Sequence, residues 1–386
     1  MVSLPYSGWG NVSDSVRVSL LTCAPGSEIY SLFGHTALRY ENPAKGEDWV
    51  FNYGLFSFDT PNFVYRFVKG ETDYQLGVIP YRYFEGEYAM RESSVYQQEL
   101  NLTEKEKENV IRLLRENYLP ANRVYRYNYF YDNCTTRARD KVEQGIEGKV
   151  VYPESEKMCS FRSIVREYTA GHEWSAFGID LCLGSEADEP IDERKQMFSP
   201  FYMLEYARGA MIHRADTIVP FVKEEKLLLD FSSKDEELFE KDEEVFLPSP
   251  WACALIWWVL TFVVTALGIK NGKVYWLWDI LLFGAQGLAG CIIAFLFFFS
   301  IHPTVGSNWL LMIFNPLPLL YMPFMIYKAI KGKTDVFHVI NTMVLLLFII
   351  LMPIVQQKFN VTVLPLALNL LTCSVGHLII YNRRKK

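Results

Sequence analysis

The spacing of apolar positions changes character twice along the chain. From Val16 onward, "VRVSLLTC", "GHTALRY", "DWVFNYGLFSF" and "YQLGVIPY" alternate or run apolar between Gly, Pro and Asp, which predicts short strands. "LTEKEKENVIRLLRENYL" shifts to helical spacing and opens with Thr103 and Glu106, the residue types of a capping box. "CTTRARDKVEQGI" predicts a second helix starting close to Cys134, and "FRSIVREYTA" and "PFYMLEYARGAMI" predict two more. "EEKLLLDFSSKDEELFEKDEEVFLPSP" is an acidic connector ended by Pro248 and Pro250. From Trp251 the chain becomes almost continuously apolar. Blocks at about 251–269, 275–300, 307–327, 336–356 and 360–381 all pass the test of roughly 20 residues needed to cross a bilayer. The pattern predicts an α+β head over 1–247 and an all-α, five-span transmembrane domain over 248–386.

Composition adds a side to this topology. The net charge of −6 and the lack of a basic tract in the polar half argue against nucleic acid as a partner. Lysine and arginine gather in "KNGK" (Lys270, Lys273), "YKAIKGK" (Lys328, Lys331, Lys333) and the terminal "NRRKK", at every second span boundary. The alternate loops, "HPTVGSN" and "QQKFN", hold Lys358 alone. Positive loops stay inside, so the C-terminus is expected in the cytoplasm and the head on the external side of the inner membrane. The opening "MVSLPYSGWGNVSDSV" has neither a basic start nor a long apolar run, so the expectation is that an export signal has been removed.

An exported head makes its cysteines informative, because disulfides are the default outside the cytoplasm. Cys159 and Cys182 lie in a loop-rich stretch and are the bridge candidates. Cys134 differs. It follows Asp132 and Asn133, both helix-capping types, and a thiol in a helix's first turn meets unpaired N–H groups and the positive dipole end, which favour thiolate. A thiolate nucleophile needs a base, and the head offers His35, His172 and His213. His35 sits in a strand flanked by small residues, whereas the other two lie in polar stretches. The base in turn needs a group to hold its tautomer. Asn52 on the next strand is one candidate for that third place and Tyr53 its rival. A metal site is not expected, since no His-x-x-x-His, Cys-x-x-Cys or clustered carboxylate pattern occurs, and no cofactor is implied.

"GHTALRY", "FNYGLFSFDTPNF" and "YFYDNCTTRARD", in that order, with a tail containing "HPTVGSNWLLMIFNPLPLL", resemble the Lnb lipoprotein N-acyltransferases of Bacteroidota over essentially the whole chain. That resemblance implies a papain-like periplasmic domain of the permuted type found in lecithin:retinol acyltransferase, with the histidine strand ahead of the cysteine helix. It implies Cys134 as nucleophile, His35 as base and Asn52 as the third residue. The reaction implied takes an acyl chain from a membrane phospholipid, through a Cys134 thioester, to the N-terminal amine of a diacylated lipoprotein. Substrate-contact candidates are Tyr53, Arg39, Asn133 and Arg137 in the head, with Arg139 as an alternative, and His302 and Asn308 in the "HPTVGSN" loop, with Asn315 nearby. Each arginine has a structural ion pair as its competing account. A tethered cysteine peptidase acting on cell-wall peptides, and a non-enzymatic envelope receptor or assembly factor, are the readings from other classes.

Overall fold

The computed structural model describes residues 16–26, 28, 31–59, 61–155, 157–235 and 248–385. The opening segment and the last part of the acidic connector lie outside the described residues. Seven strands make one antiparallel sheet: β1 (Arg17–Cys23), β2 (His35–Asn42), β3 (Glu47–Leu55), β4 (Asp73–Pro80), β5 (Val95–Leu100), β6 (Val124–Arg126) and β10 (Val222–Leu229), in the order β10-β5-β1-β2-β3-β4-β6. β7 (Lys149–Val151), β8 (Met211–His213) and β9 (Ile218–Pro220) form a small second sheet.

Side-chain alternation divides the main sheet into two apolar faces. Val18, Leu20, Leu38, Phe51, Tyr53 and Leu76 form one core with Val110 and Leu114 of α3 (Glu104–Tyr118) and Ala138 and Val142 of α4 (Cys134–Gly145). Leu21, Ala37, Val50 and Val95 face the other way, onto Phe84 and Tyr88 of α2 (Tyr81–Met90). α1 (Phe63–Lys69) joins β3 to β4. α3 starts at the expected capping box, with Thr103 N–H donating to Glu106 and Glu106 N–H to the Thr103 hydroxyl. α5 (Phe161–Tyr168), α6 (Glu173–Cys182), α7 (Glu193–Gln196) and α8 (Pro200–Gly209) follow.

Three sequence expectations change ahead of the apolar helices. The helical run over "PFYMLEYARGAMI" stops at Gly209 and its last residues become β8. The start of the acidic connector is not a linker: Glu224 to Leu229 belong to β10, the sheet's edge strand paired with β5. Its outward residues Lys223, Glu224, Glu225 and Lys226 are exposed, the charged decoration that keeps an edge strand from recruiting another chain, and that charge hides the strand's period. All seven cysteines are free, so the bridge candidates Cys159 and Cys182 are not paired; Cys159 is buried with its sulfur 3.8 Å from the Tyr202 hydroxyl.

The chain divides into two compact units, Met1–Tyr168 with Pro190–Lys241, and Thr169–Glu189 with Asp242–Lys386. The second contains α6 and the apolar helices α9 (Pro250–Asn271), α10 (Trp276–Phe299), α11 (Leu317–Ile330), α12 (Val336–Leu351) and α13 (Val363–Lys385). Among the described residues, four stretches are long and apolar enough to cross a membrane: 250–271, 276–299, 309–330 and 363–384. The expected fourth span, 336–356, is shorter: α12 has 16 residues and ends just before Pro353, which cannot continue a helix. The excursion Thr169–Glu189 is laced to two loops of this unit. Asn308 donates to the Leu181 carbonyl, Gln357 to that of Leu183, and the Lys358 N–H to Asp188.

Candidate active site

β2 begins and β3 ends on the same side of the sheet, and α4 starts there. Parity along β2 puts His35 with Ala37 on the α2 face, and parity along β3 puts Asn52 with Val50 there too. The Asn52 Oδ1 accepts a hydrogen bond of 2.5 Å from the His35 Nε2. The same imidazole and the Cys134 thiol are joined by charge and a hydrogen bond.

α4 packs on the opposite face, and its first residue reaches these strand ends because of the cap before it. The Asn133 side chain accepts from the N–H groups of Thr135 and Thr136. Its amide nitrogen donates to the carbonyls of Tyr129 and Phe198. Asn133 is thereby locked in both directions, and Cys134 stands at the helix mouth. A bond between the Thr36 and Thr135 hydroxyls at 3.1 Å ties the helix to the strand beside the histidine.

Two glycines make the approach possible. Gly34, at φ +73°, precedes His35, and a Cβ there would fall 2.5 Å from the Cys23 carbonyl oxygen. Gly54, at φ +92°, sits where β3 and β4 lose register, and a Cβ there would lie 3.7 Å from the Cys134 Cβ and 4.0 Å from the imidazole Cε1. A bulge of this kind next to a reactive group re-aims the strand.

The electrostatics separate two thiols. Burial alone would raise the Cys134 thiol, but the charge and hydrogen bond of His35, the Thr36 N–H and the Thr135 hydroxyl outweigh it and bring the thiol from 9.0 down to about 7. Cys23, paired across β1–β2 with His35, is pushed far up by burial. For His35, burial favours the neutral ring, yet the Cys134 charge, its hydrogen bond and that of Asn52 prevail and the pKa rises above 6.5. The arrangement favours a thiolate–imidazolium pair, the form in which cysteine attacks a carbonyl.

Residues 10–167 match the family model described as the Lnb N-terminal periplasmic domain, and residues 240–385 match that of the Lnb transmembrane domain. The chain belongs to the Lnb family. It is a multi-pass membrane protein with a periplasmic N-terminal domain. No curated protein and no solved structure matches the chain.

The structure of this Lnb-family chain brings Cys134, His35 and Asn52 together and sends the other candidates elsewhere. Tyr53 points to the opposite face, fully buried, with its hydroxyl donating to Asn117 Oδ1 at 2.7 Å. Arg39 shares the parity of His35 but lies further along β2, where Asp48 takes two of its donors, Gln97 a third, and Tyr81 its face. Arg137 is held by both oxygens of Asp132 and stacks on Tyr125. Arg139 bonds Asp140 and the Arg194 carbonyl. These arginines and Asn133 are framework, not open contacts for a lipid phosphate. In the helical unit Asn308 is a buried cap, accepting from the Leu310 N–H and from Gln357 while donating to Leu181. Asn315 likewise caps, accepting from the Leu317 N–H. His302 is half-exposed, its N–H on the Ser300 hydroxyl. His172 precedes α6 and His213 is exposed on β8. Sequence reasoning missed Gly54 and Thr36. Gly54 was visible as a glycine breaking a strand pattern, which marks a bulge or a close approach; Thr36 acts on the thiol through its backbone N–H, which no side chain announces.

Proposed function

We propose that this protein is a phospholipid:lipoprotein N-acyltransferase with Cys134 as its nucleophile. The observation that carries the reading is the Cys134–His35–Asn52 cluster at the helix mouth, in a chain of the Lnb family. The Cys134 thiolate attacks an ester carbonyl of the donor phospholipid. The C–S bond forms, the ester C–O bond breaks, and the imidazolium gives its proton to the departing lysophospholipid oxygen. The lipoprotein's N-terminal amine then attacks the thioester and His35 takes its proton. The C–S bond breaks, leaving an amide and a regenerated thiolate. Asn52 holds the Nε2–H so that the other nitrogen faces sulfur. The Cys134 N–H, which the Asn133 cap does not take, is the oxyanion donor of this scheme.

A second observation favours an acyl donor over a cell-wall peptide. Just past Gly54 the chain enters a continuous aromatic cluster of Phe56, Phe58, Phe63 and Phe67. Phe58, Val64, Tyr65 and Phe67 of that segment are exposed, a surface suited to a fatty chain and poorly suited to a polar peptide. Membrane anchoring adds to the reading, since donor and acceptor are both held in the bilayer and an enzyme fixed there gains encounter and orientation.

The test is mass spectrometry of the purified protein after incubation with phospholipid and no acceptor. One acyl increment, on Cys134 and released by neutral hydroxylamine, is expected. N-acylation by Cys134→Ala at the wild-type rate would overturn covalent catalysis.

A further inference from the structure

The helical unit buries a group of chemically active side chains that the acyl-transfer scheme does not use. Asp279 stands in the first turn of α10, while Cys373 and His377 lie four residues apart on one face of α13. Their ligand atoms all fall within 4.8 Å of one another, with Asp279 Oδ1 3.3 Å from the Cys373 sulfur and 3.0 Å from His377 Nε2. The relative exposures of Asp279, Cys373 and His377 are 4%, 3% and 4%. The His338 ring from α12 stacks on His377 with centroids 3.7 Å apart.

Hydrogen bonding within the group does not exhaust it. Asp279 Oδ2, His377 Nδ1 and His338 Nε2 are buried without a hydrogen-bond partner. Each costs free energy in an apolar bundle, and ionisable groups within membrane spans are expensive enough to signal a use. Beside them lies a cavity of about 20 Å³, lined by Lys273, Tyr275 and Trp278 together with Asp279, Cys373 and His377. That is room for about one water.

We propose that Asp279, Cys373 and His377 bind a divalent zinc-type ion that pins α10 to α13. One thiolate, one imidazole and one carboxylate form a mixed S/N/O donor set that suits zinc and is a poor match to magnesium or calcium, which take oxygen ligands. Asp279 Oδ1 lies about as far from the sulfur and from Nε2 as ligands placed roughly 2.0–2.3 Å from a shared tetrahedral ion. A water from the adjoining cavity completes the fourth position. Binding releases the Cys373 thiol proton to solvent, and no electron is transferred. No local motif announces the site, because Cys-x-x-x-His is a two-ligand fragment whose third donor sits almost a hundred residues earlier.

The experiment uses the full chain in detergent, loaded with excess zinc sulfate, desalted and measured for metal and protein content. The expected result is one zinc per chain, with Cys373→Ser and His377→Ala each retaining less than about a tenth of it. Loading with Co(II) in place of zinc reports the ligands directly. The wild type and Cys134→Ala are expected to show the near-ultraviolet thiolate-to-cobalt band and the visible bands of tetrahedral Co(II), and Cys373→Ser to lack the thiolate band. Circular dichroism and a monodisperse elution profile separate ligand loss from misfolding; Cys373→Ser changes one atom in kind and keeps the helix. A folded wild-type chain that holds no zinc after loading overturns the proposal. So does zinc retained in full by both variants, or a cobalt spectrum unchanged by Cys373→Ser.

Discussion

At the scale of single residues, the two thiols nearest the histidine show how position decides chemistry. Cys23 and Cys134 both lie near His35, but one is enclosed in a strand and the other stands at a helix mouth facing an imidazole. Cys134 ionises at about 7, against 9.0 for an ordinary thiol. Because its lowered pKa favours the charged form, reactivity is present above that value and lost as pH falls through it. Alkylation of Cys134 by iodoacetamide is therefore expected to rise with a midpoint near pH 7. The raised pKa of His35 keeps the imidazolium, and so the ion pair, to higher pH than a free histidine would. His35→Ala removes the main stabilising charge, so the midpoint climbs toward 9 or beyond and alkylation at pH 7 falls by about 50-fold or more, following the thiolate fraction. Asn52→Ala leaves the ring but frees its orientation; its N-acylation rate is expected between those of wild type and His35→Ala. Gly54→Ala must place a side chain at φ +92°. A loss of about 1–3 kcal/mol in chemical unfolding is expected, with alkylation slowed as the bulge shifts. A variant as stable and as reactive as wild type would show that the bulge does not set the site.

Elements matter here chiefly through their ends. α4 contributes its mouth, β2 its first residue and β3 its bulge, and α3 anchors them from behind. Glu106 is the buried joint of that anchor, accepting from the N–H groups of Thr103 and Glu147 and pairing with Arg214 through both oxygens. Removing one partner of such a pair strands the other, so Glu106→Ala is expected to cost about 3 kcal/mol or more, read as a lower urea midpoint. The α1 segment supports a different prediction. Phe58→Ser with Phe67→Ser removes exposed apolar surface beyond Gly54 and leaves the cysteine–histidine geometry alone. The apparent KM for phospholipid is expected to rise while iodoacetamide reactivity stays at the wild-type level. If KM is unchanged, the aromatic segment is not where the acyl chain lies.

For the molecule as a whole, the two loops poorest in lysine and arginine are the two that hold Thr169–Glu189, at Asn308 and at Gln357 to Lys358. At the other end Arg384 donates to the Gly272 carbonyl, joining the C-terminal basic run to the Lys270–Lys273 loop. Charge asymmetry and packing thus separate the same two ends of the bundle. With positive loops inside, a reporter active only in the cytoplasm, fused after Lys386, is expected to be active. An export-dependent reporter working there in its place would overturn the orientation.

The strands from Val16 to Tyr81, the capping box at Thr103, the helix opening at Cys134 and the five apolar blocks were all legible in the sequence. They rest on local causes: side-chain period, cap chemistry and the length of apolar runs. The place of Cys134 at a helix mouth was legible too, because a cap and the helix it opens are local features. Tertiary structure decided everything that depends on which distant segments meet. It chose Asn52 over Tyr53 for the histidine, since the two alternate across β3 and the face carrying His35 is known once β2 and β3 pair. It turned Arg39 and Arg137 into framework, because Asp48, Gln97, Tyr81, Asp132 and Tyr125 converge on them in the fold. It made an edge strand of the connector's first six residues, laced Thr169–Glu189 to the loops at Asn308 and Gln357, and placed Asp279 beside Cys373 and His377. A contact between distant residues is a property of the closed chain, and its energy comes from burial that no single segment achieves alone.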